Sequence, residues 1–144
     1  MFIVKYDPNG NVIWAKSANG ASRELGYSAS TDVMGNVFVT GHFDSSTMTF
    51  GSSVLLNAGA GGDDIFIAKY DPNGNLIWVK GAGGSNYDDG MSVSADGLGN
   101  AFITGTFSSS SITFGSTTLN NPGGNNSFIA KYDPSGTLTW VSTA

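Results

Sequence analysis

One ten-residue phrase occurs three times, and its spacing constrains the fold more than any other feature. Phe2-Ile3-Val4-Lys5-Tyr6-Asp7-Pro8-Asn9-Gly10-Asn11 returns as Phe66-Ile67-Ala68-Lys69-Tyr70-Asp71-Pro72-Asn73-Gly74-Asn75. A third copy reads Phe128-Ile129-Ala130-Lys131-Tyr132-Asp133-Pro134-Ser135-Gly136-Thr137. Lys5 and Lys69 stand 64 residues apart, and Lys69 and Lys131 stand 62 apart. Residues 2–60 align with 66–124 without a gap, more than half of them identical, and the one length change falls between Gly59 and Ser127. A long period filled with short strand-like segments predicts units that bury their faces on one another. The units run 2–65, 66–127 and, in part, 128–144.

Each unit reads as a series of hairpins. The first joins a strand at Phe2–Tyr6 to one at Val12–Lys16 through Asp-Pro-Asn-Gly. Pro8 presets φ for a type I turn, Gly10 supplies the left-handed residue of a G1 bulge, and Asp7 caps the turn amides. A segment of small residues, 26–32, precedes a strong strand at 36–43, with Gly35-Asn36 as the turn. A last hairpin covers 47–50 and 53–56, with its counterpart at 111–119. No period of 3.6 appears, so the expectation is all-β. Phe2-Ile3-Val4 and Val37-Phe38-Val39 are apolar on both faces, as in sheets covered on both sides. Small residues suit a crowded axis, whereas Trp14, Trp78 and Trp140 suit wider outer gaps. The expectation is therefore a β-propeller: about two and a half four-stranded antiparallel blades, each with an extra hairpin, in an incomplete ring. The expected order outward is small-residue strand, Val37 strand, Phe66 strand, Trp78 strand.

The repeats resemble the bacterial seven-bladed β-propeller repeat family called SBBP. The likeness rests on Asp-x-x-Gly-Asn-x-Phe-x-Thr-Gly (Asp32 to Gly41, Asp96 to Gly105), on the Phe-Ile-Ala-Lys-Tyr phrase running to Trp, and on Thr-Phe-Gly-Ser-x-x-Leu. It spans nearly the whole chain. The resemblance implies a propeller in secreted or surface proteins of Bacteroidetes-like bacteria, and it supplies no catalytic residues.

Composition narrows the function classes. A net charge of −5 with six Lys and Arg leaves no basic surface for nucleic acid. No apolar run approaches the roughly 18 residues of a membrane span. Without cysteine there is no disulfide or thiolate metal site. Met1 stands where Ile65 and Ser127 stand in later copies, so the chain reads as a piece of a longer secreted protein, extracellular or at the cell surface, without its own leader.

Asp63-Asp64 and Asp88-Asp89 are the metal candidates, because oxygen-rich loops suit Ca²⁺. Neither pair recurs: Asn125-Asn126 and Glu24-Leu25 stand opposite them. Solvated turns and protected strand edges are the competing expectation. Asp7 to Asn11 has its glycine too early for an EF-hand. His42, replaced by Thr106 in the next unit, reads as an ordinary surface residue at a strand end. The recurring Tyr and Trp sets read as packing, with sugar stacking as the competing role.

The functional expectation is a noncatalytic module, a scaffold or binding surface for protein or ligand, joined to copies of itself or to flanking blades. The alternative is a lectin-like module dependent on carbohydrate or calcium. No enzyme, no cofactor other than candidate calcium, and no membrane insertion are expected. Three copies of the Phe/Trp hairpin against two of the inner pair predict an open edge, and hence association.

Overall fold

The computed structural model describes residues 1–59 and 61–143; Ala60 and Ala144, which the unit boundaries include, lie outside it. Fourteen strands appear among the described residues and no helix. In chain order they are β1 (Phe2–Tyr6), β2 (Val12–Ser17), β3 (Glu24–Thr31), β4 (Val37–Phe43), β5 (Thr47–Phe50), β6 (Ser53–Leu56) and β7 (Asp64–Tyr70). They continue with β8 (Leu76–Gly83), β9 (Asp88–Ala95), β10 (Ala101–Phe107), β11 (Ser111–Phe114), β12 (Thr117–Asn120), β13 (Asn126–Tyr132) and β14 (Leu138–Thr143).

The hairpin turns follow one local code. In Asp7–Asn11 the Asp7 carboxylate accepts the amides of Asn9 and Asn11 at 2.9 and 2.8 Å and the Asn11 side-chain amide at 2.9 Å. Asp71, Asp32 and Asp96 repeat this with Asn75, Asn36 and Asn100, while Asp133 uses Ser135 and Thr137. Gly10, Gly74 and Gly136 have φ of +83°, +81° and +81°, and the ladders slip at Lys5/Tyr6, Lys69/Tyr70 and Lys131/Tyr132. That is the expected type I turn with its G1 bulge.

β3, β4, β7 and β8 pair in that order, antiparallel throughout, and β9, β10, β13 and β14 repeat the arrangement. These are two four-stranded propeller blades in the expected order. β1 and β2 pair only with each other, giving the outer half of a third blade. The inner strands of the two full blades meet directly: the Ser28 and Ser30 hydroxyls accept the amides of Val93 and Ala95 at 3.2 Å each. Small side chains on β3 permit that approach.

Outward, an aromatic latch joins neighbours. The Trp14 indole N–H donates to the carbonyl of Pro72 at 3.0 Å, and Trp78 does the same to Pro134 at 3.1 Å. Lys5 and Lys69 add ammonium bonds to the same two carbonyls. A Cβ on Gly74 or Gly136 would come within 2.8 Å of the indole of the preceding unit. Glycine here serves both its own turn and its neighbour's tryptophan. Two apolar clusters result: one holds Trp14, Phe43, Phe50, Phe66 and Tyr70, the other Phe38, Trp78, Phe107, Phe114, Phe128 and Tyr132.

The extra hairpin lies, as expected, between the second and third strands of its unit in sequence. In space it leaves its own blade. β11 pairs with β8 through Thr113–Gly83 and Phe114–Ala82, so β11–β12 extends the outer edge of the preceding blade. β5–β6 does likewise toward the half-blade through an Asn19–Thr49 bridge.

Candidate functional site

One end of the gap between the two full blades gathers unlike charges. β4 delivers His42 from the first blade, in register with Ile65 of β7 and Leu25 of β3. The connection from β6 to β7 delivers Asp63, and the opening of β9 delivers Asp89 from the second blade. His42 is only 3% exposed, and its Nδ1 hydrogen-bonds the Asp89 carboxylate. Its Nε2 lies 3.8 Å from Asp63 Oδ2 and has no hydrogen-bond partner. Arg23, ahead of β3, donates from Nη2 to both oxygens of Asp63 at 3.2 Å each, and its Nε lies 3.8 Å from Asp44. Tyr27 meets the imidazole edge-on, with centroids 5.1 Å apart.

The expectation for His42 is corrected. It is not a surface residue, because β4 is buried along its whole length between β3, β7 and the adjoining blade. The Asp pairs are corrected as well. Asp64 and Asp88 are not loop residues: they open β7 and β9, opposite Phe43 and Phe107. Asp63, Asp64 and Asp88 are buried and therefore not solvated, and Asp89 is half-buried.

The four aspartates have different duties. Asp88 accepts the Ser109 hydroxyl at 2.8 Å and its amide at 3.3 Å, and burial pushes its carboxyl above the usual range. In the first blade Ser45 and Glu24 form the matching pair. Asp64 accepts the Ala58 amide at 2.6 Å and leaves Oδ1 without a partner. Burial, with the charges of Asp88 and Asp63 adding to it, pushes Asp64 up to about 7. The second blade places Asn126 there, bonded to Asn121. Only Asp63 and Asp89 come together with His42: one atom from each of the three lies within 4.8 Å of the others.

Sequence reading missed His42, Arg23 and Tyr27. A signal existed in the repeat itself, since His42, Asp63 and Asp89 each differ from the matching Thr106, Asn125 and Leu25. Departures shared by three positions mark a place where one blade contact is specialised.

The other candidates are structural in placement. The Asp7 carboxylate is engaged by its own turn. Trp14 and Trp78 are 8% exposed, sealed between blades, whereas Trp140, with no following blade among the described residues, is 41% exposed.

The chain is 29% identical over 117 residues, 78% of its length, to an uncharacterized WD repeat-containing protein of Acanthamoeba polyphaga mimivirus, and spans 8% of that protein. No family model matches the chain. A WD repeat-containing relative agrees with the blade architecture, and the chain is an all-β protein of propeller-type repeats.

Proposed function

We propose that the chain is a noncatalytic propeller module of the SBBP type, secreted or surface-exposed, that works as a scaffold and joins further blades. The blades come from copies of itself or from flanking sequence of a longer protein. One comparison carries the reading. Phe66 and Phe128 are 0% and 1% exposed in the full blades, while the equivalent Phe2 of the half-blade is 79% exposed. Tyr70 and Tyr132 are 3% and 4% exposed against 56% for Tyr6. The residues are the same, and what differs is the neighbours: among the described residues no inner strand pair and no preceding hairpin phenylalanine lies beside Phe2. A groove lined by Ile3, Val4, Tyr6, Ala29, Ser30 and Val37 lies where that pair would sit. An unpaired strand edge beside exposed apolar side chains drives association. Light scattering on the 144-residue chain tests this. Assemblies at micromolar concentration are expected, and a stable, well-folded monomer overturns it.

A second reading, a lectin-like module dependent on carbohydrate or calcium, draws on the carboxylates at the blade gap. Buried Trp14 and Trp78 leave it Trp140 as a stacking surface among the tryptophans. Glycan binding that appears with calcium and vanishes with chelator would favour it over the scaffold.

A further inference from the structure

We propose that His42 and Asp63, with Asp89 orienting the imidazole, form a binding site for a divalent first-row transition metal, with zinc as the reference ion, bracing the first full blade against the second. The independent pointer is the imidazole. With Nδ1 hydrogen-bonded to Asp89, His42 turns Nε2 toward Asp63 Oδ2 at 3.8 Å, buried and without a hydrogen-bond partner. A buried ring nitrogen without a partner, facing a carboxylate across that distance, leaves a place for a cation between them. Metal bonds of about 2.0–2.2 Å set ligand atoms on one ion roughly 3–4 Å apart, so the pair needs only a small closure.

Charge supports the same ion. Asp63 and Asp44 share one guanidinium, that of Arg23, and Asp89 meets the His42 ring instead, so carboxylates outnumber the guanidinium and a divalent ion would offset the excess. Arg23 has 53% of its side chain exposed and can leave Asp63 for water without burying its own charge. Donor type selects among cations. Calcium takes oxygen ligands, whereas an imidazole nitrogen beside a carboxylate suits zinc and its neighbours. Asp64 and Asp88, bonded to Ala58 and Ser109, stay outside the ligand set. His42 Nε2 and Asp63 are then the protein ligands, Asp89 orients the imidazole from its Nδ1 edge, and water completes the coordination.

The second repeat supplies substitutions that the fold already accepts. His42→Thr copies Thr106, and Asp63→Asn copies Asn125. Tag-free chain, stripped with chelator, is titrated with zinc and with calcium by calorimetry, and thermal unfolding is followed with and without zinc. One zinc per chain at micromolar concentration, a raised melting temperature, and at least tenfold weaker binding in both variants are expected. Because His42 is the sole histidine, its imidazole ¹⁵N resonances in the wild-type chain report the site even if a variant fails to fold. They should move on adding zinc and not on adding calcium. Imidazole signals unmoved by zinc, zinc binding undiminished in His42→Thr, or tighter binding of calcium would each overturn the proposal.

Discussion

At the residue scale, Trp78 shows why a repeated phrase keeps its large side chain. Its ring stacks on Tyr132 at 6.1 Å between centroids, meets Phe38 edge-on at 6.1 Å, and donates to Pro134 of the next unit. Removing it empties a sealed gap and takes one of two donors from the Pro134 carbonyl, so Trp78→Ala should cost about 3–5 kcal/mol in urea unfolding. A loss below about 1 kcal/mol would show that the neighbouring blade collapses into the space. The turn aspartates make a different prediction. Hydrogen bonds, first from the side chains of Asn11, Asn75, Asn100 and Ser135, hold Asp7, Asp71, Asp96 and Asp133 below their ordinary value of 3.8. A lowered folded pKa gives stability that is present above about pH 4 and lost as pH falls through the folded value. Urea midpoints measured at pH 6 and pH 3 should therefore fall on acidification, less steeply in a chain carrying Asp71→Asn and Asp96→Asn. An equal slope in both chains would remove the turns from the acid response. Turns of this kind were legible in the sequence because the interaction is complete within five residues. His42 was not, because its burial depends on β9, whose Asp89 lies 47 residues away.

At the scale of elements, strand order followed from side-chain size and hairpin punctuation, but the destination of the extra hairpin did not. Ser111–Asn120 carries ordinary hairpin signals, and no local pattern says which blade it joins. Its register against β8 is set by Phe114, which is 1% exposed and packs on Phe128 at 5.0 Å between ring centroids. Phe128 belongs to the second blade and Ala82, opposite Phe114, to the first. The hairpin therefore clamps two blades together. Phe114→Ala should cost about 3–5 kcal/mol and raise amide hydrogen exchange at Ala82 and Gly83 of β8 as well as within β11–β12. Faster exchange confined to β11–β12 would reduce the hairpin to a local ornament. Phe50, tilted against Phe66 at 5.6 Å, sets the same arrangement one unit earlier.

At the scale of the whole molecule, the half-blade and the full blades form an internal experiment. β13 and β1 carry nearly the same sequence, yet only the former has β9–β10 beside it. The register of that contact is known: Ala101 opposite Tyr132 through Phe107 opposite Asn126. A chain extended before Phe2 by a copy of residues 85–127, replacing Met1, would lay the copied inner pair along β1 by ordinary chain continuity. Phe2 and Tyr6 would then be covered as Phe128 and Tyr132 are, and the copied hairpin would project toward the next open position. Burying two aromatic side chains and an edge strand together is worth several kcal/mol, at roughly 1.5–3 kcal/mol per large apolar side chain. The extended chain should melt at higher temperature than the original. Sedimentation should also show weaker self-association per chain, because its first edge is already paired. If the extension leaves both the melting temperature and the association unchanged, β1 is not a docking edge, and the assembly must be driven from β14 and the exposed face around Trp140.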